Sequence, residues 1–356
     1  MTKEDIINHI ASLPENITQE EMQKELQNIF DTHGLELVMD ALFAWEMKTG
    51  YITKAKLEDN EHLSFYDEEY DLSFRIQINL ARSNYKPVPL QGKNIPELYS
   101  PITIENVGIP GKENLRVFLF SLDGKERKFF VQVTPFPLFN NHYVLINLEK
   151  VPQKISPQTI EDLFNFVKLA PHYTACSNSD LAWTGASILK HMHYQVFDSL
   201  VLPVMEAKDD DKYIVHVQNT KVSALHYPLG VVKVSGQEES VKTIMTKVIE
   251  NWRDENREKN SVNLIVVKTE TGFDGYIFLR NQDHRTPESL QRIKSEGVGI
   301  IEVAGEGILP VPKGDDAEEI WKEIRENGLS VIKGIIEGNN PIKDRTFFDS
   351  FLKKLM

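Results

Sequence analysis

The chain has 356 residues and a formal net charge of −13, and hydrophobic residues make up 41% of it. This length allows one large domain or two smaller ones with a substantial core. No apolar run approaches the roughly 20 residues that cross a bilayer, and the acidic N-terminus does not resemble a signal peptide. A nucleic-acid partner is not expected, because a phosphate backbone requires clustered Lys and Arg. We therefore expect a cytoplasmic protein without a membrane partner. A small anionic substrate stays possible, because a local site can bind phosphate through backbone N–H groups and a few side chains.

Helices are predicted first, followed by strands. Apolar residues recur at helical spacing within residues 1–50, and short alternating segments begin near residue 75. Two later helices are well marked: one begins at Pro157 after Ser156, and the other carries an apolar stripe from Val241 to Trp252. The predicted early strands are 74–80, 116–120 and 128–133. This mixture predicts an α+β fold.

The second part of the chain contains an internal repeat. His142–Leu145 matches His226–Leu229 at a separation of 84 residues, and His191–Phe197 falls on Tyr276–Gln282 at a separation of 85. We therefore predict two copies of a strand–strand–helix–strand–strand unit. The predicted organisation is a small N-terminal helical segment (1–70), a first unit with the active-site motif (71–205) and a second, degenerate unit with C-terminal helices (206–356).

The main chemical motif is His191-x-His193-x-Gln195. Alternate residues of a strand point the same way, so the three side chains share one face. Such a pair can also be a satisfied core histidine or two surface histidines. The adjacent repeat favours a functional site, because the second copy has Tyr276, Phe278 and Arg280 at the corresponding positions. Only the first copy therefore carries the predicted chemistry.

A family resemblance becomes specific around this motif. The segment PHYTACSNSDL (171–181), followed by GASIL (185–189) and HMHYQ (191–195), resembles the second class of galactose-1-phosphate uridylyltransferases, within the histidine-triad superfamily. The segments FVQVTPF (130–136), NNH (140–142) and GIIEVAG (299–305) also resemble that class. The resemblance implies tandem histidine-triad-like units, antiparallel sheets with packed helices, and no organic cofactor.

The same resemblance implies a role for each residue of the site. His193 would be the nucleophile that forms a nucleotidyl-histidine, with His191 and Gln195 as its catalytic partners. Ordinary turn, cap or surface duties are the alternative for the binding residues. The residues expected to bind substrate are Asn106, Arg116, His142, Asn178 and Ser187.

The sequence also departs from the family pattern in two respects. Val196-Phe197 replaces a Gly-Gly pair, and Ala182-Trp183 replaces Pro-Ile, so the sugar pocket is expected to differ. Many relatives hold zinc with a Cys-x-x-Cys pair, a histidine like His142 and the first histidine of the motif. Ser100 and Thr103 stand at the cysteine positions here, and neutral hydroxyls are poor zinc ligands. We predict that no metal is bound, although residual binding through His142, His191 and a carboxylate stays open.

The sequence therefore predicts an enzyme that moves a nucleotidyl group, UMP in its relatives, between a nucleotide sugar and a hexose-1-phosphate. One alternative is a nucleotide-sugar phosphorylase of the same superfamily, in which inorganic phosphate is the acceptor. Another is a catalytically silent nucleotide-binding protein. The family has a second histidine-rich stretch, which is largely erased here in the segment RNQDHRTPE (280–288). This loss favours the silent protein, and the intact His191-x-His193-x-Gln195 motif opposes it. A homodimer is implied by the resemblance alone.

Overall fold

The computed structural model describes residues 2–53, 58–80, 100–185, 188–217, 219–295 and 297–356. These residues form a large antiparallel sheet, a small second sheet and packed helices. The predicted α+β fold is therefore confirmed. Within these ranges, no helix is long and apolar enough to cross a membrane.

Three helices open the chain, as predicted for residues 1–50: α1 (Lys3–Ala11), α2 (Gln19–His33) and α3 (Leu35–Lys48). Thr2 and Thr18 begin α1 and α2 with reciprocal capping bonds, which satisfy backbone groups that a helix start leaves unpaired. The apolar faces of these helices join the same core as the first strands of the large sheet. The N-terminal helices thus support the half of the sheet that carries the motif.

Ten strands form the large sheet: β3 (Phe118–Ser121), β4 (Lys128–Val133), β5 (His142–Asn147), β6 (Tyr173–Ser177), β7 (His193–Asp198), β8 (Asp209–Val217), β9 (Thr220–Leu225), β10 (Val231–Gly236), β11 (Asn260–Lys268) and β12 (Phe273–Asn281). Their order in the sheet is β3-β4-β5-β7-β6-β11-β12-β10-β9-β8. In the sequence, helix α4 (Pro157–Leu169) lies between β5 and β6, and helix α6 (Glu238–Glu255) lies between β10 and β11.

This order confirms the predicted repeat. The first five strands, read from the edge inward, are 3-4-5-7-6, and the last five are 8-9-10-12-11, so the two units meet at β6 and β11. Gln195 pairs with Cys176, and Arg280 pairs with Ser261. Both residues of the second pair lie 85 residues after those of the first (195 to 280, 176 to 261). The sheet register therefore reproduces the separation found in the sequence.

A second, three-stranded sheet joins strands from distant parts of the chain. It joins β1 (Glu61–Asp67) and β2 (Leu72–Ile78) to β13 (Glu306–Leu309), with β13 parallel to β2. Helix α8 (Ala317–Gly338) contacts β1 and β2. The remaining short helices are α5 (Pro203–Glu206), α7 (Ile300–Val303) and α9 (Phe347–Phe351), with 3-10 turns at Ile104–Asn106, Glu288–Leu290 and Leu352–Leu355.

The large sheet has a different core on each face. Tyr194 and Val196 of β7 pack in the cluster that includes α4 and α6. Phe197 belongs to a second cluster on the opposite face, together with Phe278 of β12 and residues of the small sheet. Because side chains alternate along a strand, His193 and Gln195 lie on the face of Phe197, away from α4 and α6.

Candidate active site

His193 is the first residue of β7, and it lies beside the ends of the two neighbouring strands, β5 and β6. It pairs with Ile146 of β5 on one side. On the other side β6 ends at Ser177, so Asn178 is the next residue level with His193. The side chain of His193 is 7% exposed. The motif thus sits at one end of the sheet, beside the loop that leaves β6.

A hydrogen bond to the backbone determines the tautomer of His193. Its Nδ1 lies 2.8 Å from the carbonyl oxygen of His191. A carbonyl oxygen can only accept, so Nδ1 carries the proton in the neutral ring and Nε2 keeps its lone pair. The arrangement therefore presents Nε2 as the nucleophilic atom.

Burial also controls the charge of this imidazole. Removal from water lowers the pKa of His193, and the hydrogen bond to His191 opposes that effect less strongly. A lowered pKa keeps the ring neutral near pH 7, and only a neutral imidazole has a free lone pair. Geometry and burial together favour a nucleophile over a general acid.

The backbone of His193 is held by a residue that the sequence did not indicate. The His193 N–H donates to Oε1 of Gln153, at 2.9 Å, in the link between β5 and α4. The Gln153 N–H in turn donates to the carbonyl oxygen of Leu189. No motif or spacing singles out Gln153, because the contact joins positions 40 residues apart.

His191 precedes β7 and has a structural partner. Its Nε2 lies 2.8 Å from the carbonyl oxygen of Asn147, at the end of β5, and therefore carries a proton. Burial lowers the pKa of His191. The charge of Lys150 also lowers this pKa, and that of Glu105 raises it. These two side chains form an ion pair, with 2.5 Å between Nζ of Lys150 and Oε1 of Glu105. His191 thus holds the start of β7 against the end of β5.

Gln195 and Asn178 are the predicted phosphate ligands that the structure places near His193. Gln195 is half-buried on the same face of β7. Oδ1 of Asn178 accepts from the Ile300 N–H at 3.0 Å. In the described part of the chain, Nδ2 of Asn178 has no hydrogen-bond partner. Ser187 lies outside the described residues.

Arg116 and His142 lie away from His193, whereas Asn106 follows Glu105, whose side chain acts on the pKa of His191. The Arg116 guanidinium donates to the carbonyl oxygens of Ile17, Glu113 and Leu115, and β4 and β5 separate β3 from β7. Asn106 donates to the carbonyl oxygen of Ser100 and the hydroxyl of Thr103. Their role in substrate binding stays a prediction.

His142 lies at the opposite end of β7 from His191. It pairs with Phe197 and stacks on that ring at 4.3 Å between centroids. His191 instead bonds to Asn147, five residues of extended strand away from His142 along β5, which corresponds to roughly 17 Å. A single metal site that contains both His142 and His191 is therefore not formed by the described residues.

The side chains at the family's zinc positions do not fit a zinc ion. Ser100 and Thr103 supply hydroxyls, and that of Thr103 accepts a hydrogen bond from Asn106. The described residues contain no group of three or more His, Cys, Asp or Glu side chains that could hold a metal. Three or four such ligands are normal for zinc. That the protein binds no metal stays a prediction.

Comparisons with known proteins agree with this fold and motif. The family model "Domain of unknown function (DUF4922)" matches residues 121–198. Galactose-1-phosphate uridylyltransferase of Caldanaerobacter subterraneus subsp. tengcongensis is 27% identical, covering 91% of this chain and 69% of its own length. The protein of that name from Fusobacterium nucleatum subsp. nucleatum is 25% identical, and the match covers 98% of this chain and 73% of the length of that protein. Yeast Ap4A phosphorylase in complex with Ap4A superposes with a TM-score of 0.56 at 12% identity, covering 85% of this chain and 96% of that one.

The structural similarity shows that the chain shares the fold of yeast Ap4A phosphorylase. In sequence, the chain is a divergent homologue of proteins named galactose-1-phosphate uridylyltransferase, over most of its own length. It spans about seven tenths of the length of the two relatives above. The resemblance predicted from the His191-x-His193-x-Gln195 motif is confirmed.

Proposed function

We propose that the protein is a nucleotidyltransferase that moves a nucleotidyl group, UMP by analogy with its relatives, between a nucleotide sugar and a hexose-1-phosphate. The observation that carries the proposal is the bond from Nδ1 of His193 to the His191 carbonyl. With the proton held there, Nε2 of the buried ring is the atom available to attack phosphorus.

In the first step, Nε2 of His193 attacks the α-phosphorus of the nucleotide sugar. A nitrogen–phosphorus bond forms while the bond from that phosphorus to the bridging oxygen breaks. The hexose-1-phosphate leaves with the bonding electron pair. The imidazole becomes positively charged, and the His191 carbonyl stabilises its Nδ1–H.

In the second step, a phosphate oxygen of the acceptor attacks the same phosphorus. The nitrogen–phosphorus bond breaks, its electrons return to Nε2, and a new nucleotide sugar is released. Both steps build negative charge on the phosphoryl oxygens. Nδ2 of Asn178 and the amide of Gln195 are the proposed donors to those oxygens, because preorganised donors stabilise developing charge. We propose the same role for the Ser187 hydroxyl from sequence alone.

The acceptor, the oligomeric state, the location and the domain division of the protein are also proposed. The names of the homologues support a sugar phosphate as acceptor. We propose a homodimer in the cytoplasm, in line with the resemblance. We retain residues 1–70, 71–205 and 206–356 as the division of the chain, and β1 begins within the first of these ranges.

Isotope exchange tests this function. Labelled glucose-1-phosphate incubated with UDP-glucose and the protein should yield labelled UDP-glucose, with ping-pong kinetics. Faster release of glucose-1-phosphate by inorganic phosphate alone would favour the phosphorylase alternative. Nucleotide binding without turnover in either assay would support the silent binding protein.

A further inference from the structure

A cavity of about 220 Å³ lies between the loop after β6 and the segment after β12. Its lining includes Trp183, Arg285, Thr286, Lys294 and Asn339. Pockets for drug-sized ligands usually measure about 300–1,000 Å³. This cavity is too small for a whole nucleotide sugar or dinucleotide, and it therefore suits one end of such a ligand. We call it the Trp183 cavity.

The Trp183 cavity carries an unpaired positive charge. The Arg285 guanidinium lies over the indole of Trp183, 4.5 Å from the ring centroid. Nε of Arg285 donates to the Gln282 carbonyl, and neither Nη nitrogen has a hydrogen-bond partner in the described part of the chain. The described lining residues include no carboxylate, although the chain as a whole has a net charge of −13. An anionic group is the complementary ligand.

A buried hydroxyl and an exposed ring supply further contacts. The Thr286 side chain is 8% exposed, and its Oγ1 has no hydrogen-bond partner within the described residues. Buried polar atoms normally have partners, so this hydroxyl is available to hydrogen-bond a ligand in the cavity. The indole of Trp183 is 47% exposed, with a backbone φ of 69° that non-glycine residues rarely adopt. Its free surface can pack against the face of a sugar or base ring.

The position of the cavity relates it to His193. Strands β7, β6, β11 and β12 are successive antiparallel neighbours, so the start of β7 and the end of β12 lie at the same end of the sheet. Three interstrand steps separate them, roughly 14 Å. Val298, which lines the cavity, packs in the same cluster as Phe197, on the face of His193.

A hydrogen-bonded network fixes the cavity relative to the loop that leaves the active site. Arg280, fully buried, donates to the Val298 carbonyl and to Oδ1 of Asn339, which both line the cavity. It also donates to Oδ1 of Asn263. Nδ2 of Asn263 donates to the carbonyl of Thr184, next to Trp183. Arg280 occupies the position in the second unit that Gln195 has in the first.

We propose that the Trp183 cavity binds the far end of the substrate, a ring attached to a phosphate group, while the transferred phosphorus lies at His193. The inference rests on the proposed function and specifies its substrate. Two compounds share this chemistry: the hexose phosphate of a nucleotide sugar, and the second nucleoside phosphate of a dinucleoside polyphosphate. In both, Arg285 contacts a phosphate oxygen and Trp183 packs on the ring.

Calorimetric binding to the full chain tests this inference. UDP-glucose and Ap4A serve as two-ended ligands, which carry both the group at His193 and the group proposed for the Trp183 cavity. UMP and AMP serve as one-ended ligands, which carry only the group at His193. Arg285→Gln should weaken binding of one two-ended ligand about tenfold, the loss expected for a charge-assisted hydrogen bond. Its mononucleotide should bind within about twofold of wild type. Trp183→Ala should produce the same pattern. Whichever of UDP-glucose and Ap4A shows the effect identifies the ring.

Arg325→Gln is the matched control. Arg325 also lies over a tryptophan, 4.7 Å from the ring centroid of Trp321, but it pairs with Glu61 outside the Trp183 cavity. This variant should bind all four ligands as wild type does. Unchanged binding of both two-ended ligands to Arg285→Gln and Trp183→Ala would overturn the inference. Failure of wild type to bind any of the four ligands would instead remove the proposed function, and the inference with it.

Discussion

Nδ1 of His193 lies 2.8 Å from the carbonyl oxygen of His191, two residues earlier in the same chain. This short-range bond needs a turn of the backbone just before β7 begins. The turn is held on the other side by Nε2 of His191, which donates to the Asn147 carbonyl at the end of β5. The two histidines of the motif thus differ: Nε2 of His191 bonds to the backbone, whereas Nε2 of His193 is the atom that the proposed reaction uses.

The first prediction concerns the pH dependence of the chemical step. Burial lowers the pKa of His193, so the neutral form predominates at pH values where an ordinary histidine is half protonated. The single-turnover rate of nucleotidyl transfer to the protein should therefore stay near its plateau at pH 6.5 and fall only in more acidic solution. A rate that is still rising steeply above pH 7 would contradict the assigned role of burial.

The second prediction concerns Asn178, whose Nδ2 is the proposed donor to the substrate. Asn178→Asp keeps the acceptor for the Ile300 N–H but places negative charge beside the phosphoryl group. The single-turnover rate should fall about 10²–10³-fold, the typical loss for one donor to a developing charge. Unchanged turnover would assign Asn178 to holding α7 alone.

Asn281→Asp is the matched control for that variant. Oδ1 of Asn281 accepts from the Asp283 N–H, as Oδ1 of Asn178 accepts from the Ile300 N–H. Nδ2 of Asn281 already donates to Oδ1 of Asn260, so no donor is left for a substrate. We expect Asn281→Asp to leave the rate of the folded protein within a few-fold of wild type.

The third prediction distinguishes two roles for Arg116. Its buried guanidinium donates to carbonyls of Ile17, Glu113 and Leu115, so Arg116→Met leaves buried acceptors without partners. Such a loss should lower the free energy of unfolding by about 2–4 kcal/mol. Arg257→Met, which removes an exposed ion pair with Asp254, should cost under about 1 kcal/mol. A selective rise in KM for the sugar phosphate, with unchanged urea stability, would support the sequence-based assignment of Arg116 instead.

The fourth prediction concerns acid stability. Burial lowers the pKa of His142 to about 3, whereas an unfolded histidine titrates near its usual value of about 6.5. The unfolded state therefore binds the extra proton between these two values, and stability falls as the pH drops below about 6.5. Urea unfolding of His142→Gln should show a shallower loss between pH 7 and pH 5 than wild type. Equal slopes for the two proteins would show that His142 does not contribute.

The repeat and the motif could be predicted because both depend on local sequence patterns. Two units that share a sheet register keep their matching residues at a constant separation, as Gln195 and Arg280 show. The alternation of side chains along a strand then assigns His193 and Gln195 to one face. Such information is present in a single sequence without knowledge of any distant contact.

Contacts between distant segments could not be predicted in this way. Gln153 reaches His193 from the link before α4, and Arg116 bonds to Ile17, 99 positions away. The place of His142 depends on how β5 pairs with β7, and one family motif cannot determine that register. Sequence resemblance therefore indicated the proposed nucleophile but not the residues that position it.

Detection of a covalent intermediate on His193 tests the central claim most directly. The protein is incubated with UDP-glucose labelled at the α-phosphorus, and the labelled peptide is identified by mass spectrometry after digestion. We predict one acid-labile, base-stable adduct on His193, which glucose-1-phosphate discharges. His193→Ala should give no adduct while keeping the wild-type melting profile. Persistent labelling of that variant, or wild-type turnover without any adduct, would contradict the account.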